Sequence, residues 1–166
     1  MKKFIILFVV IAILISGFLF LGRAAYPLKY QSEIKKYSAE YNVDPALVAA
    51  IIRNQSGFKA LGYKKGEKSG VMEIRDFAAK KWAKEMGMEN FEGKMLADPS
   101  INIQLGTWYL GKLTKQNDNI DTIIEGWCNR HASGGIKLDK DEIDRYMENC
   151  KDARNIYNIL YGISLK

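Results

Sequence analysis

Ala46-Leu47-Val48-Ala49-Ala50-Ile51-Ile52-Arg53-Asn54-Gln55-Ser56-Gly57-Phe58 is the stretch that decides the fold. From Ala46 to Ile52 every position is apolar, so a helix here has no water-facing side and belongs at the centre of a core. It is introduced by Asn42-Val43-Asp44-Pro45, in which Asp44 suits the N-cap and Pro45 the first helical position. Gly57 is a natural exit, because helices commonly end on a left-handed residue that glycine adopts freely.

Working outward, Tyr30, Ile34, Tyr37 and Tyr41 recur at i, i+4, i+7 and i+11, one face of a preceding helix. Phe58 to Ser69 turns to Gly, Lys and Tyr, as expected of an exposed loop with Lys64, Lys65 and Lys68 on a solvated face. Asp76 can cap a helix carrying Ala78, Trp82 and Met86, which Gly87 ends. Asp98-Pro99-Ser100 introduces another over Ile101 to Leu113, with Ile101, Leu105, Trp108 and Tyr109 on one side. Ile120, Ile123, Ile124, Trp127 and Cys128 form a further stripe. After Ser133-Gly134-Gly135, Ala153, Ile156, Tyr157 and Leu160 mark a last helix, with Gly162 behind it. No segment alternates with period two, so the class is mainly α with a negligible β element.

The first residues differ in kind. Residues 4–21 carry no charge and are almost all Phe, Ile, Leu, Val or Ala; about 18 such residues is near the lower limit for a membrane-spanning helix. Lys2 and Lys3 precede the run, which places the N-terminus in the cytoplasm and the remainder outside. Two readings stand: an uncleaved anchor, which the length favours, and a cleaved secretory signal with Gly22-Arg23-Ala24 as a loose cleavage site. The chain thus divides into residues 1–23, anchor or signal, and residues 24–166, one outer domain. Of the net charge of +6, three units come from Lys2, Lys3 and Arg23, leaving 22 basic against 19 acidic residues outside. That mild excess suits an anionic cell wall or membrane surface and excludes a nucleic-acid signature. A single histidine, His131, and no paired Cys or His spacing suggest neither metal nor cofactor. Cys128 and Cys150 are compatible with a disulfide in an extracytoplasmic domain, or with two buried free thiols.

Chemistry enters through blocks taken together. Ala49 to Phe58 resembles a family segment in which a buried helix ends in Glu-Ser-Gly-Phe. Gly70-Val71-Met72-Glu73-Ile74 resembles Gly-Leu-Met-Gln-Ile, and Asn102-Ile103-Gln104-Leu105-Gly106-Thr107-Trp108-Tyr109-Leu110 resembles Asn-Ile-x-x-Gly-x-x-Tyr-Leu. Trp127-Cys128-Asn129 stands where that family has Ala-Tyr-Asn-Ala-Gly, and Asp152-Ala153-Arg154-Asn155 echoes its Glu-Thr-Arg-Asn. These blocks resemble the soluble lytic transglycosylases, related to goose-type lysozymes, over roughly residues 26–162. The resemblance implies a lysozyme-like helical domain with peptidoglycan glycan strands as ligand.

It also implies a mechanism. One glutamate at the end of the buried helix protonates the glycosidic oxygen and then assists attack by the muramic C6 hydroxyl, leaving a 1,6-anhydro product. Such a carboxyl must keep its proton near neutral pH, which a partly apolar setting provides. Here that place holds Gln55, whose amide can donate a hydrogen bond but cannot release a proton. Glu73 stands eighteen residues on, where the family has an amide, as if acid and amide were exchanged. It is either a displaced acid that sustains some cleavage, or a drifted residue that hydrogen-bonds Gln55. Cys128 replaces a tyrosine, and Arg130 and His131 replace a small Ala-Gly pair, which would narrow the cleft. Ser56, Met72, Glu73, Tyr109, Cys128 and Asn129 are the candidate glycan contacts. Read from helical spacing alone, Tyr109 and Trp108 suit the core better than a glycan platform, and His131 suits a solvated loop without a partner. The expected function is glycan binding at the wall without cleavage. The alternatives are an active or weakly active transglycosylase using Glu73, and a protein-interaction module of an envelope complex whose partners the sequence does not name.

Overall fold

Asp44 begins the central helix as its residue type dictates: its carboxylate accepts from the Ala46 amide at 2.9 Å, and Pro45 occupies the first turn. The computed structural model describes residues 2–165. In chain order it contains α1 (Lys2–Ala25), α2 (Gln31–Tyr41), α3 (Pro45–Ser56), a hairpin of β1 (Lys68–Ser69) and β2 (Ile74–Arg75), α4 (Asp76–Glu85), α5 (Pro99–Gln116), α6 (Ile120–Cys128) and α7 (Lys140–Leu165). Two 3-10 turns, Gly93–Ala97 and Asn129–Gly134, complete it. The strands pair antiparallel, Lys68 opposite Arg75 and Ser69 opposite Ile74.

Helix α3 is the axis of the core. Ala46 through Ile52 are all buried, and Gly57 closes the helix in the left-handed region at φ 59°. The longest contact of α3 is with α7, while α2 lies across α5. An ion pair between Arg154 of α7 and Asp44 ties the last helix to the start of the central one. Helix α7 starts well before the apolar stripe at Ala153 and runs through Gly162 without a break. Its first half is rich in charge, and only Ile143, Tyr146, Met147 and Cys150 mark the buried face. Those four still sit at helical spacing, and all but Cys150 are half-buried against the core.

Asn102, fully buried on α5, organises the loop that follows α3. Its amide donates to the carbonyls of Ser69 and Leu96, both at 3.1 Å, and its Oδ1 accepts from the Met72 amide at 2.8 Å. Gly70 permits that approach: it lies at φ 73°, and a Cβ there would sit 2.1 Å from the Asn102 amide nitrogen. The result is a hairpin delivered against the end of α3.

Helix α1 buries none of its residues. It is, among the described residues, the one helix long and apolar enough to cross a membrane. It joins the rest through Arg23, which donates to the Leu160 carbonyl at 3.0 Å and stacks over the Tyr161 ring. Cys128 and Cys150 are free thiols, both buried. Burial pushes their pKa values up, to about 11 and about 12, so both are neutral SH groups at physiological pH.

Candidate active-site cleft

Three elements meet at the C-terminal end of α3. The helix contributes Asn54 and Gln55, the hairpin Lys68 and Glu73, and α6 with its 3-10 extension Cys128, Arg130 and His131. Helix α7 adds Tyr146, and the loop before it adds Ile136 and Leu138. Together they line a cleft of about 290 Å³.

Gln55 is held on both sides. Its Nε2 donates to the Tyr146 hydroxyl at 2.9 Å, and its Oε1 accepts from Arg130 Nη2 at 3.1 Å. The amide is therefore oriented by two partners of opposite hydrogen-bonding need, a geometry that distinguishes its nitrogen from its oxygen. Arg130 is 8% exposed. It donates also to the Trp127 carbonyl at 3.0 Å and to the Glu73 carbonyl at 3.4 Å, and its guanidinium lies 4.3 Å from the Trp127 ring centre. Burial lowers its pKa, yet a guanidinium stays charged in a protein.

Glu73 does not hydrogen-bond Gln55. Its carboxylate is turned to Lys68 Nζ at 2.8 Å, and its backbone occupies the left-handed region at φ 50°. The two residues are coupled instead through Arg130, which bonds the side-chain oxygen of one and the carbonyl of the other.

Of the other expected glycan contacts, Cys128 lines the cleft, beneath Arg130. Ser56 instead ties helix to hairpin through its hydroxyl, which donates to the Val71 carbonyl at 2.7 Å. Met72 is completely buried beneath Gly106, where an added Cβ would come within 2.3 Å of its sulfur. Tyr109 stacks on Trp82 at 4.3 Å and leans on Trp127, as its helical spacing allowed. Asn129 caps α6, its side chain donating to the Glu125 carbonyl at 3.2 Å. None of these four is among the residues that line the cleft.

His131 corrects an expectation. It is not a solvated loop residue without a partner: it is 4% exposed, its Nε2 accepts from the Arg75 amide at 3.2 Å, and Phe77 packs edge-on against its ring. The small residues that the sequence places around it hide the fact that the loop folds inward as a 3-10 turn. Burial, reinforced by Arg130, Arg75 and Lys68, lowers its pKa to about 3. The unfolded chain, with an ordinary histidine near 6.5, therefore binds one more proton than the folded chain over that window. Stability from His131 is complete above about pH 6.5 and lost as pH falls toward 3, at roughly 1.4 kcal/mol per pH unit. Denaturant melts followed by tryptophan fluorescence should show the unaltered protein losing about 2 kcal/mol more than His131→Gln between pH 7 and 5; parallel losses would refute a neutral buried imidazole.

No sequence motif marks Tyr146 as a residue of the cleft. The signal was its place between Ile143 and Cys150 at helical spacing, masked by the surrounding charges.

A helical domain of this architecture, with a cleft at the end of its central helix, has the lysozyme-like fold of lytic transglycosylases. Residues 32–132 match the family model described as "Transglycosylase SLT domain", and the chain belongs to that family. It is 30% identical over 113 residues to membrane-bound lytic murein transglycosylase C of Sodalis glossinidius (strain morsitans), and 29% identical over 106 residues to that of Shigella sonnei (strain Ss046). Each match takes in 63% of this chain, which spans 29% of the relative's length. Among solved structures, the 70 kDa soluble lytic transglycosylase of Escherichia coli superposes with a TM-score of 0.72 at 20% identity, covering 85% of this chain and 26% of that one. An inactive glutamate-to-glutamine mutant of lytic transglycosylase Slt from Pseudomonas aeruginosa gives 0.68 at 19%, covering 82% and 25%. At such identities the likeness establishes the fold alone.

Proposed function

We propose that this chain is a membrane-tethered, wall-facing domain that binds peptidoglycan glycan strands without cleaving them. The observation that carries the reading is the state of Gln55. At the end of the buried helix, where the resemblance calls for a proton-donating carboxyl, stands an amide fixed between Tyr146 and Arg130. It can neither release nor accept the proton that both steps require, and a positioned acid–base group contributes about 10²–10⁴-fold. In Slt of Pseudomonas aeruginosa, a glutamate-to-glutamine exchange likewise gives an inactive mutant. Glutamine nearly matches glutamate in shape, so the cleft keeps its form while the chemistry goes. The named relatives are membrane-bound murein enzymes, and α1 supplies this chain with its own tether, residues 24–166 forming the outer domain.

Glu73 lies in the same cleft, but its carboxylate faces Lys68. The chain of residues 1–166 in detergent, mixed with purified sacculi, should co-sediment with them and release no anhydro-muropeptides. Release abolished by Glu73→Gln would transfer catalysis to Glu73 and overturn the reading. Absence of co-sedimentation would instead favour an envelope protein as the partner of this surface.

A further inference from the structure

The charge balance of the cleft is incomplete. Lys68 and Glu73 neutralise one another at 2.8 Å. Arg130 has no such partner: it forms no ion pair among the described residues. Its acceptors are the neutral oxygens of Gln55, Trp127 and Glu73, and its Nε is buried without any acceptor. The remaining titratable neighbours add no negative charge, since Cys128, Cys150 and Tyr146 are all pushed toward their neutral forms by burial and His131 is a neutral imidazole at neutral pH. A guanidinium more than nine-tenths buried thus faces a cleft with one uncompensated positive charge. Removing such a charge from water is costly unless an anion joins it; with Nη2 committed to Gln55 and Glu73 and one Nη1 hydrogen to Trp127, the second Nη1 hydrogen is the donor left for a carboxylate.

We propose that the cleft recognises a saccharide bearing a free carboxylate, seated against Arg130, with Ile136 and Leu138 flanking the sugar ring. This rests on the glycan-binding reading above and narrows its ligand. In a peptidoglycan strand the group that fits is the lactyl carboxylate of muramic acid, which is anionic only where no stem peptide is attached; with the peptide in place it is a neutral amide. The cleft would therefore prefer glycan from which stem peptides have been removed. Its volume, about 290 Å³, lies just below the usual range of ligand pockets, about 300–1,000 Å³, which suits one substituted sugar residue.

The test is calorimetry on the full chain in detergent micelles with three probes: the disaccharide GlcNAc–MurNAc with its free lactyl carboxylate, the same disaccharide as the lactyl methylamide, and GlcNAc–GlcNAc. The acid should bind at least about tenfold tighter than the methylamide, in line with a charge-assisted hydrogen bond. That ratio should collapse toward one in Arg130→Met and survive in part in Arg130→Lys. Equal binding of acid and methylamide by the unaltered protein overturns the carboxylate inference and leaves the glycan reading standing. No binding of any probe overturns both. A preference that persists in Arg130→Met but vanishes in Lys68→Met overturns the assignment to Arg130. The acid-to-amide ratio in the unaltered chain decides the matter even if Arg130→Met fails to fold.

Discussion

Gln55→Glu alone should leave the protein unable to release anhydro-muropeptides. Restoring a carboxyl restores the atom that the resemblance demands, but not its protonation. A glutamate in this position would place an oxygen 3.1 Å from Arg130 Nη2, where Gln55 Oε1 now sits, and would receive the Tyr146 hydroxyl as a second donor in place of an acceptor. Both interactions favour the ionised form, and an adjacent guanidinium by itself lowers a carboxyl pKa by about 1–3. Burial works the other way, yet the ion pair would also satisfy the uncompensated charge of Arg130, so pairing wins. A general acid at this site needs the reverse. Gln55→Glu combined with Arg130→Met removes the trap and leaves an apolar neighbour of similar length. Release of 1,6-anhydro products should then rise by at least ~10² over the single variant. Equal activity in single and double variants would sink the idea that Arg130 blocks the acid.

The second large effect concerns stability. Asn102→Ala deletes three buried hydrogen bonds at once and strands the Met72 amide and the carbonyls of Ser69 and Leu96. Each buried group left unpaired costs about 1–3 kcal/mol, so a loss of roughly 3–5 kcal/mol is expected, with a fall in Tm of ~10 °C or more. Asn102→Asp should be only partly milder, since it keeps the acceptor for Met72 but replaces a donor with a charge. Thermal melts by circular dichroism would measure both. A fall of less than ~3 °C for the alanine variant would show that the hairpin is held by packing alone.

Much of this protein can be read from its residues. The all-apolar run from Ala46 to Ile52 demanded a central helix, and Asp44-Pro45 and Gly57 set its ends where they are found. The charge-free residues 4–21 fall within α1, long and apolar enough to span a membrane. The blocks at Gly70 to Ile74 and Asn102 to Leu110 led to the family that the match over residues 32–132 establishes. What local patterns missed depended on long-range contact. The first half of α7 was obscured because its helical face comprises four residues amid charge, and only packing against α3 and α6 decides that such a segment is helix.

The cleft divides along the same line. That Gln55 stands at the end of the buried helix, and that Glu73 follows it by eighteen residues, is a matter of sequence alone, because helix ends and motif spacing are local. Which of the marked residues face the cleft is not. Ser56, Met72, Tyr109 and Asn129 carry motif positions, and their side chains bond or pack within the fold, a placement that motif spacing does not encode. Tyr146 and Arg130 come to Gln55 from 91 and 75 residues away. No periodicity encodes such a meeting; it exists only once α6 and α7 have packed on α3. The sequence by itself thus determined a lysozyme-like helical domain with an amide where an acid was expected. Only the tertiary structure decided that a buried, unpaired guanidinium holds that amide in place.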